Sequence, residues 1–430
     1  MKRILSPTIA LALLGSALAV TPQEKITWLQ QHAIPVRTLD IQDDEFSDLT
    51  PLRSALSGVR VILLGEQSHG DGTTFQAKAR LIRYLHEELG FNVLAFESSY
   101  VDLNRDQELI KTGSRLSDVL RNSLQAVWSE SQQMTPLLNY LDEQAKTKQP
   151  LRVAGIDLLP TNPRRLPEHG AELTRRVEVT LASMPNVLQD AKAFLATIGN
   201  LGRSPLEAMR KPMDQQRQII AGADELTAML KAGKRSDRML AQEIRNWRTY
   251  LEFMWSLPTD FSEENFPPAV TMNMRDRMMG ENAVFLANEQ FAGQKLIIWA
   301  ASSHSAKRLD NLQGEIDRGQ LPMGAFVHRA LGSRAYTLGF TAIQGQFGAA
   351  QTGAARTTIE RPVPGSFEQL FSQTNLSDAF LNLRDQRTPW LSEVTKARPF
   401  GYVWSEGDWT NTLDGLFFIR EMKPSTLRPR

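Results

Sequence analysis

The sequence predicts an α/β protein with a mostly parallel mixed sheet flanked by helices, and with a helical insertion or cap. Two observations indicate this fold. Short, nearly continuous apolar runs alternate with helical patterns, as expected for strands that are buried on both faces. Residues 163–270 then show helical periodicity without a strand pattern, which indicates an added helical segment.

Six apolar runs are predicted strands. Each has the length of a strand and is bounded by residues that favour turns or begin helices. The runs span 59–64, 91–96, 151–156, 295–300, 335–340 and 413–419.

A long helix is predicted after the first strand. Thr73 and Gln76 have the spacing of a capping box, apolar residues then recur at helical spacing, and Gly90 ends the helix. A second helix is predicted from Pro136 to Ala145, directly before the third strand.

The helical segment divides the predicted α/β core into two parts. An apolar stripe with helical spacing runs from Leu240 to Met254 inside this segment, and Pro258 ends it. We expect the segment to cover the substrate cleft. The predicted organisation is a signal peptide over 1–19, the first part of the core over 20–162, the insertion or cap over 163–270 and the second part of the core over 271–430.

Composition excludes several classes of function. The chain has 430 residues and a formal net charge of +1 without a long run of one sign, so electrostatics gives no support for nucleic-acid binding. It contains no cysteine, which excludes thiol nucleophiles, disulfides and metals bound by thiolates. The sequence does not predict an oligomeric state.

The N-terminus resembles a secretory signal. Lys2 and Arg3 precede a short apolar region, and Ala17-Leu18-Ala19 forms a small-residue cleavage site before Val20. We therefore expect a periplasmic or secreted protein. No later segment is long and apolar enough to predict a stable membrane span in the mature chain.

Polar and titratable residues follow four of the predicted strands. In open parallel sheets, ligands bind beyond the carboxyl ends of the strands, so these residues should share one edge. Gly65-Glu66-Gln67-Ser68-His69-Gly70 follows the first strand, Glu97 the second, Asp157 the third, and Ser302 and His304 the fourth.

This set of carboxylates and imidazoles suits hydrolysis by an activated water. A carboxylate that fixes the tautomer of a histidine raises its basicity, and a second histidine can act as an acid or an oxyanion donor. The same side chains suit zinc or manganese, which leaves a metal-dependent hydrolase or peptidase as an alternative. The chain has no Gly-x-Ser-x-Gly, Gly-x-x-x-x-Gly-Lys or His-Glu-x-x-His motif.

Taken together, these motifs resemble the erythromycin esterase family. The 65–70 turn resembles the family's Gly-Glu-x-x-His-Gly turn, and Gly90-Phe91 with 93–97 is similar to its second block. Trp128 followed by 153–157 is similar to the third block, 275–282 to the fourth, and 298–304 to the strand and histidine that close the site. The blocks cover residues 59–160 and 271–345, and weaker similarity at 365–368 and 414–421 extends the resemblance to the C-terminus.

The resemblance implies a carboxylic ester hydrolase that needs no metal or cofactor. Its partner would be a small-molecule ester or a macrolide lactone, opened by an activated water. Carried over by position, His69 would be the general base, and Glu66 and Glu97 would orient it and the water. Arg275 and His304 would bind or polarise the ester carbonyl and stabilise the oxyanion.

Three features depart from the family pattern. Lys78 stands where an arginine usually contributes to the site, and Ser302 stands where an asparagine is usual. The third departure is the signal peptide, since the intracellular resistance enzymes of the family destroy drug near the ribosome. We predict that Lys78, Asp157 and Ser302 bind substrate. The departures at Lys78 and Ser302 leave a non-catalytic small-molecule binding protein on the same scaffold as a second alternative.

Overall fold

A computed structural model describes the chain over residues 20–111, 113–182, 189–201, 210–258, 267–314, 319–351, 354–384 and 388–429. The predicted signal peptide, residues 1–19, lies outside the described residues. None of the helices in this described part is both long and apolar enough to cross a membrane.

The strands are numbered in chain order. Those of the larger sheet are β1 Ile34–Val36, β2 Val61–Leu64, β3 Phe91–Ser99, β4 Arg152–Asp157, β5 Lys295–Trp299, β7 Ala335–Phe347, β8 Thr357–Thr358, β9 Asp378–Asn382 and β12 Gly415–Met422. Those of the smaller sheet are β6 Gln313–Gly314, β10 Thr395–Ala397 and β11 Ser405–Gly407.

The larger sheet is mixed and mostly parallel, as predicted. Its strand order is β1-β9-β12-β7-β2-β5-β3-β4, with β8 paired to β7. All pairs from β12 to β4 are parallel, whereas β1, β9 and β8 pair antiparallel to their neighbours. Leu64 and Phe96 both pair with Trp299, so the carboxyl ends of β2, β3 and β5 meet at one edge.

Helices connect and cover the strands. They are α1 Pro22–His32, α2 Leu52–Ala55, α3 Gly72–Leu89, α4 Tyr100–Lys111, α5 Leu116–Ser123, α6 Ala126–Ser129, α7 Thr135–Gln144, α8 Leu166–Leu181, α9 Gln189–Asn200, α10 Met213–Lys231, α11 Arg235–Ser256, α12 Ala269–Phe285, α13 Ser302–Ser305, α14 Met323–Leu331, α15 Phe367–Ser372 and α16 Trp409–Thr412.

The central strands bury both faces, which explains their continuous apolar runs. Val61 and Leu63 of β2 join the apolar cluster on one face, and Ile62 and Leu64 join the cluster on the other. Helices α8 to α12 contribute to the first cluster, and α3, α5 and α7 contribute to the second. Because successive side chains of a strand point to opposite faces, each strand contributes to both cores.

The start of α3 differs from the prediction. The helix begins at Gly72 after Asp71, which makes no side-chain cap, so the predicted capping box at Thr73 is wrong. The hydroxyl of Thr73 instead accepts a hydrogen bond from the amide of Lys423 at 2.8 Å. The hydroxyl that the local pattern assigned to a helix cap is therefore bonded to the backbone of Lys423, far along the chain. The predicted end is confirmed, because Gly90 has a left-handed φ of 69°.

The described residues of the 163–270 interval are helical or irregular and include no strand. Apolar residues of α8 to α11 pack in the same cluster as Val61 and Leu63 of the sheet. The helices of this interval therefore share a core with one sheet face.

Candidate active site

The turn after β2 places a carboxylate and an imidazole in contact. His69 donates through Nδ1 to Oε1 of Glu66 at 2.8 Å. Gly65 makes this turn possible, because a Cβ at that position would lie 2.9 Å from the Cα of Ser302. The backbone amide of Ser302 in turn donates to the carbonyl oxygen of Glu66 at 2.8 Å. The ends of β2 and β5 are thus joined directly behind the site.

Glu66 is fully buried and receives two further hydrogen bonds. The indole Nε1 of Trp128 donates to Oε1 at 3.0 Å, and Nζ of Lys78 donates to Oε2 at 2.8 Å. The Trp128 ring also meets the His69 ring edge-on, with centroids 5.2 Å apart. Three donors therefore hold the carboxylate that orients His69.

Lys78 is as deeply buried as its partner. Its Nζ lies 3.9 Å from the centroid of the Trp299 ring, in cation–π contact. Burial lowers the pKa of Lys78 to about 8, against the attraction of Glu66. That value lies above neutral pH, so Lys78 keeps its proton and the buried charge of Glu66 keeps its counter-ion.

A second carboxylate, that of Glu97, lies near the carboxyl end of β3. Its Oε2 accepts from the amide of Ala301 at 2.9 Å, and its Oε1 accepts from Nη2 of Arg275 at 2.9 Å. Burial would raise the pKa of Glu97, but the charges of His304 and Arg275 outweigh burial and lower it to about 2. Glu97 is therefore an anion at any working pH.

Arg275, from the second turn of α12, bridges the strand ends. Its Nη2 donates to Asp157 at 2.6 Å and its Nε lies 3.1 Å from the same carboxylate. Its Nη1 lies 3.3 Å from Nε2 of His304. Each guanidinium nitrogen thus faces a site residue, with Asp157 fully buried at the end of β4.

His304 lies on α13, the short helix after β5. Its Nδ1 is 2.7 Å from Oδ1 of Asp276, and its Nε2 is 3.4 Å from Oε1 of Glu97. Burial would lower the pKa of His304, but the charges of Asp276 and Glu97 outweigh it and raise the pKa to about 9. At neutral pH His304 is therefore a cation.

His69 has the same type of environment with more exposure. Burial would lower its pKa, but the hydrogen bond with Glu66 and the charges of Glu97 and Glu66 outweigh burial, so the pKa is raised. Its side chain is 39% exposed, whereas that of His304 is 15% exposed. His69 is thus the more accessible of the two imidazoles.

Both histidines line one cavity of ≈ 560 Å³. Lys78, Asp157 and Ser302 are not among the described residues that line it, and each is at most 1% exposed. No described residue of 163–270 lines it either, so a cover from this interval over the cavity stays a prediction. The lining residues are Gln67, Ser68, His69, Ala301, Ser303, His304, Leu309, Gln320, Phe347, Phe400 and Gly401.

Two residues of the site lie in blocks that resemble the family but were given no role from the sequence. Trp128 lies on the four-residue helix α6, where no periodic pattern marks it. Asp276 follows Arg275 on α12 and is joined to both His304 and the amide of Met323. For Trp128 the available signal was that a buried tryptophan usually finds a hydrogen-bond partner for its N–H. For Asp276 it was that adjacent residues of a helix face different neighbours, so Asp276 and Arg275 contact different groups.

The site residues do not form a metal-binding group in the described part of the chain. No three histidine, aspartate or glutamate side chains there are arranged to hold an ion. Nδ1 of each histidine already faces a carboxylate, Glu66 for His69 and Asp276 for His304.

Known proteins resemble this chain over most of its length. The family model described as Erythromycin esterase matches residues 86–422. YbfO of Bacillus subtilis (strain 168) is 25% identical over 93% of this chain and 91% of its own. Erythromycin esterase type II of Escherichia coli is 21% identical over 93% of this chain and 98% of its own. A mutant of the erythromycin esterase EreC, solved in its open conformation, has the same fold, with a TM-score of 0.69, 18% identity and coverage of 91% of this chain and 98% of that one.

Proposed function

The chain belongs to the erythromycin esterase family, and we propose that it hydrolyses a small-molecule ester or lactone with a water that His69 activates. Membership in this family supports an enzyme of the hydrolase class. One observation carries the finer proposal. His69 and His304 come from different strand ends and line the same cavity, each with Nδ1 against a carboxylate.

His69 is the general base in this mechanism. Its Nδ1–H donates to Glu66, so the neutral ring carries its lone pair on Nε2. A water in the cavity gives a proton to this nitrogen as its oxygen attacks the ester carbonyl. Glu66 stabilises the imidazolium that forms, because its carboxylate accepts the Nδ1–H bond and is held in position by Lys78 and Trp128.

His304 stabilises the tetrahedral intermediate. At neutral pH it is a cation at the cavity wall, so it can donate to the oxygen on which negative charge develops. When the intermediate collapses, the C–O bond to the alcohol breaks and the alkoxide takes the proton from His69. Water and ester become carboxylic acid and alcohol, and the enzyme returns to its starting state.

Arg275 acts mainly on its protein neighbours in this scheme. Asp157 and Glu97 take its Nε and Nη2 hydrogen bonds, and it is not among the described residues that line the cavity. The proposal therefore assigns Arg275 the positioning of Glu97 and His304. Lys78 has the equivalent role for Glu66.

The decisive test is His69→Ala, compared with His32→Ala on the exposed surface of α1. Both purified proteins are assayed against a panel of esters and lactones that includes a macrolide. Loss of a general base lowers the rate by roughly 10²–10⁴-fold. We expect that loss for His69→Ala and none for His32→Ala. Full activity of a folded His69→Ala protein refutes the mechanism.

Two further measurements separate the alternatives. Metal analysis and activity after chelation address the metal-dependent hydrolase, since loss of activity that returns with added zinc or manganese supports it. Binding without turnover of any compound in the panel supports a non-catalytic binding protein. Cleavage of the macrolide lactone alone identifies the substrate class, and cleavage of simple esters alone separates this chain from the macrolide esterases.

We also propose export, which rests on the pattern of residues 1–19. Mass spectrometry of protein from the periplasm or medium should show a mature chain that begins at Val20. Full-length protein confined to the cytoplasm contradicts this proposal.

A further inference from the structure

Part of the cavity lining has no role in the mechanism above. Leu309, Phe347 and Phe400 form an apolar surface in the same cavity as His69 and His304. Leu309 and Phe400 are 2% and 5% exposed, so they offer only the small area that faces the cavity. Phe347 is half-buried. An apolar surface beside a hydrolytic site needs a substrate group that it can remove from water.

The loop that carries Phe400 is anchored on both sides. Arg398 donates to the carbonyl oxygens of Ala342 at 3.2 Å, Ile343 at 3.0 Å and Glu360 at 2.7 Å. The Phe400 ring packs against Trp409, with centroids 5.7 Å apart. These contacts hold the ring in place before any ligand arrives.

The same loop is attached to the turn that carries His69. The amide of Gly401 donates to the carbonyl oxygen of Gln67 at 2.9 Å, and the hydroxyl of Tyr402 donates to Oδ1 of Asp71 at 2.9 Å. Asp71 also accepts from the amide of Ser68 at 2.9 Å. The position of the loop that carries Phe400 is therefore tied to that of the general base.

Tyr402 is held in an unfavourable backbone conformation. Its φ of 62° is the only positive φ of a non-glycine residue in the described part of the chain. A left-handed conformation is unfavourable for a residue with a Cβ and persists only where the surroundings enforce it, often beside binding sites. Here the Tyr402 ring stacks on Phe347, with centroids 4.4 Å apart and an angle of 20°. The strained residue thus supports Phe347 directly and lies in the same loop as Phe400.

Charge restricts the substrate further. Of the described residues that line the cavity, only His69 and His304 are ionisable. The cationic His304 lies between Asp276 and Glu97, and Arg275 is paired with Asp157 and Glu97. His304 is the oxyanion donor of the proposed mechanism, so no further cation among these groups remains for an anionic substituent of the substrate.

We propose that Leu309, Phe347 and Phe400 form a subsite for the apolar group of an uncharged ester, and that Tyr402 positions it. This inference rests on the proposed hydrolase function and adds the substrate class. The apolar group belongs either to the acyl or to the alcohol part of the ester, and both carry the same chemistry.

The test is a chain-length series. The value of kcat/KM is measured for p-nitrophenyl acetate, butyrate, hexanoate and octanoate, and for ethyl, butyl and hexyl acetates. Burial of each methylene favours binding by about fourfold, so kcat/KM of the wild type should rise with length in one of the two series. A monosuccinyl ester should be a poor substrate beside its uncharged butyryl counterpart.

Phe347→Ala should abolish most of this rise. Tyr402→Phe should weaken the rise mainly through a higher KM for the longer esters, because it loses only the bond to Asp71. Phe326→Ala is the matched control, since Phe326 is also half-buried and lies outside this cavity. An equal rise in Phe347→Ala and wild type overturns the inference but not the hydrolase proposal.

A binding measurement distinguishes failure of the subsite from failure of the proposed hydrolysis. Methyl alkyl ketones of increasing length mimic the ester without reacting, and calorimetry gives their affinity. Wild-type affinity should rise with chain length and that of Phe347→Ala should not. This result supports the subsite even if the wild type cleaves no ester, which would overturn only the proposed reaction. Affinity that does not depend on chain length in the wild type overturns the subsite.

Discussion

Replacing Trp128 with phenylalanine removes one hydrogen bond from the carboxylate that orients the proposed base. The indole Nε1 and the His69 Nδ1 donate to the same oxygen of Glu66, at 3.0 and 2.8 Å. The indole N–H withdraws charge from that oxygen. Without it, Glu66 should stabilise the His69 imidazolium more strongly and raise the pKa of His69 further.

The size of this shift follows from the bond that is lost. A hydrogen bond to a charged group contributes ~1.5–3 kcal/mol, and one pKa unit corresponds to about 1.36 kcal/mol. If half of the change reaches His69, its pKa rises by roughly 0.5–1 unit. The base must be neutral to accept a proton, so the acid limb of the kcat/KM profile should move to higher pH by that amount.

The assay is the pH dependence of kcat/KM, accompanied by urea unfolding to show that the variant folds. Trp247→Phe is the matched control, because Trp247 is 3% exposed and its Nε1 has no hydrogen-bond partner among the described residues. Its profile should coincide with that of the wild type. If Trp128→Phe also leaves the acid limb unchanged, Trp128 does not act through Glu66 and the argument is refuted.

The remaining predictions concern charge at the site. The wild-type pH–rate profile should be bell-shaped: activity falls below the raised pKa of His69, where the base is protonated, and falls again near pH 9, where His304 loses its proton. Asp276→Asn removes the charge that raises the pKa of His304, so the alkaline limb should move to lower pH. Lys78→Met should lower the free energy of unfolding, measured in urea, by about 3–5 kcal/mol, because Glu66 keeps a buried charge without its cation.

Surface variants provide the controls for these measurements. Lys25→Met removes a partly exposed ion pair with Glu393 and should change the free energy of unfolding by less than about 1 kcal/mol. His32→Ala should leave both limbs of the pH profile in place. An alkaline limb unchanged in Asp276→Asn contradicts the role of His304, and a stability loss in Lys78→Met no larger than in Lys25→Met contradicts the buried pair.

Most of the fold could be predicted because its signals are local. The chain is continuously apolar over 61–64, 153–156 and 296–299, since both sheet faces are covered, and the structure confirms the strands predicted there within one or two residues. The start of α3 could not be predicted in the same way. Thr73 has the local spacing of a capping residue, but its hydroxyl accepts a hydrogen bond from the amide of Lys423 instead. A partner so distant along the chain leaves no local signal.

Part of the candidate site could likewise be predicted from the sequence, and part depends on contacts between distant segments. Glu66 and His69 are three residues apart, so one turn brings them together. Glu97, Asp157 and His304 meet them because parallel strands end at one edge, which the strand pattern predicts. Their partners Trp128 and Asp276 come from helices whose orientation depends on packing against the sheet. The burial of Lys78 and Asp157 behind the cavity wall depends on the same packing.

The sequence by itself determined the six strands that pair in parallel, the edge at which the titratable groups gather and the class of chemistry those groups support. Each of these follows from spacing along the chain or from the geometry of a parallel sheet. Only the tertiary structure decided which groups are open to a ligand and which are enclosed partners. It also brought Phe347 and Phe400 beside His69. The physical reason is that burial and ion pairing are set by contacts between distant segments, whereas apolar periodicity is set by neighbours along the chain.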